Sequence, residues 1–114
     1  MATAFVPLPT AGDVLDLLEI PGSDADALYL AGRHIELVTR LAQEFTRGRG
    51  FDGATCAPGI ASVILAASAR SLNNPSGLRE SNAGAFTQVF ATPSAAFTAF
   101  EQHVLNGHRQ RITF

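Results

Sequence analysis

Asp24–Arg47, DADALYLAGRHIELVTRLAQEFTR, is the stretch whose pattern decides the fold. Leu28, Ala31, Ile35, Val38, Ala42 and Phe45 recur at spacings of three or four, the period that gathers side chains on one side of an α-helix. Ser23 or Asp24 can cap its start. Asp24 and Asp26 in the first turn and Arg40 and Arg47 toward the end suit the helix dipole. The glycines of Arg47-Gly-Arg-Gly-Phe51 end it. The stretch therefore predicts an amphipathic helix of about six turns or more, long enough to organise a small helical domain.

On the N-terminal side, Met1–Pro9 reads as an extended lead, because Pro7 and Pro9 lack donors and push their predecessors out of helical geometry. Thr10 can cap a short helix ending near Glu19, with Val14, Leu15, Leu17 and Leu18 inward and Pro21-Gly22 as its stop. On the C-terminal side, Phe51–Gly59 reads as a loop and Ala57-Pro58-Gly59 as the entry to a third helix reaching about Leu72. That helix is apolar nearly all round, with Ser62, Ser68 and Arg70 as the exceptions, so it must be central. Asn73-Asn74-Pro75-Ser76-Gly77 is a turn, and Ala83–Ala91 can extend as a strand or arm with Phe86 and Phe90 on one face. Thr92-Pro93 suits the start of a last helix carrying Phe97, Phe100 and Val104 inward, and Asn106-Gly107 its end. His108–Phe114, HRQRITF, remains as a tail. The expected fold is mainly α, a small bundle of about four helices with an extended arm and an extended C-terminal tail.

The chain has 114 residues, the length of one domain with one core, so residues 1–114 are read as a single unit. Hydrophobic residues make up 46% and charged residues only 16%, and mean hydropathy is +0.17. A surface so short of charge favours cover by other subunits. Eight Arg and no Lys stand against ten acidic residues, a net charge of −2, whereas a protein that grips phosphates needs a basic face. The first residues have no basic run ahead of an apolar one, so no signal peptide is expected. The longest apolar run, Ile60–Ala67, is far below the ~18 residues of a membrane span.

Chemistry-bearing residues are few. Cys56 is the single cysteine, which leaves a free, buried thiol as the simplest reading and no CxxC to hold zinc. His34, His103 and His108 form no helical pair with one another or with a Glu at ligand spacing, so no metal and no cofactor are expected. No GxSxG elbow, SxxK or Cys–His arrangement appears, and the Asp13 and Asp16 pair is accounted for by the dipole of a short helix. No catalytic residue is expected, and the chain does not read as an enzyme. Arg47 and Arg49 in their Gly-rich turn suit either a solvated helix exit or contact with an acidic partner or a DNA phosphate. Arg70, Arg79 and Glu80 flank the Asn-Pro-x-Gly turn. Arg70 can cap its helix with Arg79 and Glu80 exposed, or the three can pair across a subunit boundary, where a guanidinium takes a carboxylate in two hydrogen bonds.

A resemblance rests on the order of several elements. They are Leu18-Glu-Ile-Pro21 leading into the long helix, Gly50-Phe51, Ala69-Arg70, Asn74-Pro75, Gly77-Leu78-Arg79, Glu80, and Gly84-Ala-Phe-Thr-Gln-Val-Phe90. In that order they resemble the head-to-tail connector (adaptor) proteins of long-tailed bacteriophages. The resemblance implies a small helical bundle that assembles as a ring, commonly a dodecamer, beneath the portal and above a head-tail stopper or tail terminator protein. DNA would pass through the prolonged channel without specific binding. By that likeness His108, Arg109, Gln110, Arg111, Ile112, Thr113 and Phe114 would engage the portal protein, and the Gly84–Phe90 segment would contact neighbours or the next ring. The location implied is the neck of the virion, with the host cytoplasm during assembly. A reading from another class, a small helical nucleic-acid-binding regulator, is suggested by the Arg-rich loop and opposed by the acidic balance.

Overall fold

The computed structural model describes residues 4–73 and 97–109. The long helix appears as α2, Ala25–Thr46, preceded by α1, Ala11–Leu17. Thr10 caps α1 in a reciprocal box: its hydroxyl accepts from Asp13 N at 3.2 Å while Asp13 Oδ2 accepts from Thr10 N at 2.8 Å. Asp24 caps α2 by accepting from Ala27 N at 3.0 Å. Between them, Ile20 N donates to Leu15 O and Asp24 N to Pro21 O, closing a tight connection. A Cβ at Gly32 would lie 3.9 Å from Ala11 Cβ, so the start of α1 meets the second turn of α2 and the two helices form a hairpin whose tip is residues 18–24.

At the other end of α2, Arg47 adopts the left-handed conformation with φ 58°. Gly48 N reaches back to Gln43 O at 2.8 Å and Arg47 N to Glu44 O at 3.3 Å, the bonds that close a helix when its last residue turns left-handed. The segment read as a loop contains a small sheet. Strand β2, Phe51–Asp52, and β3, Thr55–Cys56, are antiparallel, and β1, Val6–Pro7, pairs with the other edge of β3, opposing Val6 to Cys56. The extended lead is thus tied down as an edge strand. Proline is tolerated there because an edge strand has an N–H with no ladder partner to supply.

Helix α3, Pro58–Asn73, runs back along α2, and α4, Ala99–Arg109, packs on both. The core joins Val14 and Leu15 of α1, Ala31, Ile35, Val38, Leu41 and Ala42 of α2, Ile60, Val63, Ile64 and Ala67 of α3, Phe97 and Leu105. Phe97 meets Phe45 edge to face, centroids 6.2 Å apart. Alanine and serine along α3 let its neighbours approach closely, so the nearly all-apolar helix is buried along Ile60, Val63, Ile64, Ala67, Ser68 and Ala69. Cys56 is a buried free thiol, and burial pushes its pKa up.

The fold is mainly helical, as expected, and besides the small sheet it differs from the sequence expectation in the bounds of its last helix and in the exposure of several apolar residues. Helix α4 begins at Ala99, not at Thr92-Pro93. Thr98 caps it, with Glu101 Oε1 accepting from Thr98 N at 2.9 Å and Thr98 Oγ1 accepting from Glu101 N at 3.2 Å. This reciprocal pair is a stronger start signal than proline alone. It also ends later: Asn106-Gly107 lie inside it, and His108 and Arg109, expected in the tail, are its last residues. Phe100 is 74% exposed and Leu17 54%, not inward. Leu28, expected on the buried stripe of α2, is also exposed. The Asn74–Gly77 turn, the 83–91 arm and residues 110–114 lie outside the described residues.

Candidate interaction surfaces

Arg47 and Arg49 sit in the turn that leaves α2, both exposed. Gly50, with φ 84°, ends that turn and is packed so closely that a Cβ there would clash with Ile60 Cδ1 and lie 3.2 Å from His108 Nδ1. The last turn of α4 therefore lies on the α2 exit, and two groups of candidates 60 residues apart in sequence, the Arg47/Arg49 turn and the beginning of HRQRITF, share one end of the bundle. The sheet is attached at this end. Ala57 N donates to Gly50 O at 2.8 Å, and β1 lies alongside β3 with Phe5 half exposed just before it.

Arg70 does make the two-bond pair that its geometry suits, but with Glu101 of the same chain. Nη1 donates to Oε2 at 3.0 Å and Nη2 to Oε1 at 2.8 Å. Glu101 is buried, while the Arg70 side chain is 45% exposed. Burial pushes the Glu101 carboxyl up, but the hydrogen bonds from Arg70 and Thr98 outweigh it and hold the group below its usual range. Sequence left Arg70 open between capping its helix and pairing across a subunit boundary; the carboxylate it takes here is supplied by α4 of the same chain, and the pair fastens α4 to α3. Arg79, Glu80, Phe86, Phe90 and Gln110–Phe114 lie outside the described residues.

His34 is the other buried polar link. Its Nδ1 lies 2.8 Å from Ser71 Oγ, joining α2 to the end of α3, and burial lowers its pKa. Among the described residues, no group of three His, Cys, Asp or Glu could hold a metal ion, and no helix is long and apolar enough to cross a membrane.

What sequence reading missed is a set of exposed apolar residues on the two helices of the α1–α2 hairpin, near its tip. Leu17, Leu28, Tyr29 and Leu30 are all large, apolar and exposed, with Tyr29 at 66% and Leu30 at 48%. Leu28 continues the row of Ala31 and Ile35, and Leu30 the row of His34, Leu37 and Leu41. Leu28 and Leu30 thus sit at the two edges of the buried face of α2, and Tyr29, between them in sequence, points away from it. The signal was present as three consecutive large residues at 28–30, which a single helical stripe does not require.

Charge is divided along the same axis. Residues 1–32 contain five of the ten acidic residues, Asp13, Asp16, Glu19, Asp24 and Asp26, and no Arg or His, leaving the other five acids against all eight Arg. Asp16, Glu19, Asp24 and Asp26 are exposed in the same hairpin. The α2 exit carries Arg47, Arg49 and the start of the Arg-bearing C-terminus, with Glu44 and Asp52 as its local acids. At 1.5 Å per residue the 22-residue α2 separates the two ends by about 33 Å.

Compared with known proteins, the chain matches no family model, no curated protein and no solved structure.

Proposed function

We propose that the protein is a structural virion component, an adaptor that forms a ring between the capsid portal and the next neck or tail component and prolongs the DNA channel. The observation that carries this reading is the set of large apolar side chains exposed at the α1–α2 hairpin among the described residues, Leu17, Leu28, Tyr29 and Leu30. An assembly component has neighbours that can cover such residues. The exposed carboxylates of the hairpin, Asp16, Glu19, Asp24 and Asp26, also suit a channel wall past which DNA slides, since phosphates gain no counterion release there.

The likeness in Leu18–Pro21, Gly50-Phe51, Ala69-Arg70 and the 74–90 segment to phage head-to-tail adaptors supplies the rest of the reading. In it, the residues from His108 to Phe114 reach the portal, and Phe86 and Phe90 contact a neighbour or the stopper. The packing of His108 against Gly50 fits this assignment, because it fixes where the C-terminus leaves the bundle. The nucleic-acid regulator reading has less support: exposed Arg47 and Arg49 are two charges on a chain with an acidic opposite end, too few for a duplex footprint.

Mixing the purified protein with the portal and imaging the product by negative stain tests the proposal. A ring of this chain beneath the portal is expected, and absence of any portal association contradicts it.

A further inference from the structure

We draw no further inference here: the strongest candidate, the exposed apolar side chains Leu17, Leu28, Tyr29 and Leu30 near the tip of the α1–α2 hairpin, does not form one patch, and nothing in the structure shows what covers it.

Discussion

Arg70, Glu101 and Thr98 act as one unit: the carboxylate that closes the α4 cap also receives the guanidinium from α3. Because Glu101 is held below its ordinary pKa, it adds stability above its unfolded value near ~4.3, and that contribution is lost as pH falls through the folded value. Replacing Glu101 with Gln should cost about 1–3 kcal/mol in denaturant melts near neutrality. It should also flatten the part of the acid-unfolding profile that lies below the ordinary carboxylate range. His34 acts in a different window. Burial lowers its pKa, so the unfolded chain takes up a proton first, near pH ~6.5. Its contribution is complete above that pH and is lost as pH falls toward the folded value. His34→Gln, which keeps an acceptor and a donor toward Ser71, should reduce the fall in melting temperature between pH 7.5 and 5.5. An unchanged fall would place that proton elsewhere.

The hairpin, the hub helix and the C-terminal helix each depend on a local signal, and those signals were legible to different degrees. Helix α2 was readable almost to the residue, because Asp24 caps it, Arg47-Gly48 closes it, and its stripe has one period throughout. The start of α4 was misplaced because Thr92-Pro93 matches the general start pattern, whereas the reciprocal Thr98 and Glu101 bonds make the actual one. Its end was misplaced because Gly107 has open space around it and no left-handed φ, so it does not serve as a stop. The hairpin at Phe51–Cys56 was hidden by strands of two residues, too short for alternation to register. Gly50 is the joint between these elements. Gly50→Ala must force a side chain into Ile60 and hold φ 84°, so a loss of about 1–3 kcal/mol is expected, read as a lower denaturation midpoint. At the C-terminus, ending the chain after Arg109 keeps all of α4. That truncation should leave helicity unchanged by circular dichroism while abolishing portal docking in a pull-down; lost helicity would assign the removed residues to the bundle instead.

As a whole, the molecule has two unlike ends on a rigid helical body, and this arrangement was only half visible in the sequence. The low charge content and uneven acid distribution were there to be read, but exposure was not: Leu28 fits the buried stripe of α2 by spacing and is nevertheless exposed, at the edge of that stripe. Likewise Arg70 was recognisable as a residue suited to a two-bond carboxylate pair, while its partner came from 31 positions away, a distance that periodicity does not address. The apolar residues exposed on the hairpin and the C-terminus leaving beside Gly50 are the surfaces that the proposed adaptor would offer its neighbours and its portal. Electron microscopy of the parent particle, or of the portal complex reconstituted with this chain, tests that account most directly. The account predicts a ring of copies of this chain between portal and tail, with the C-terminal residues directed at the portal; a neck from which the chain is absent would contradict it.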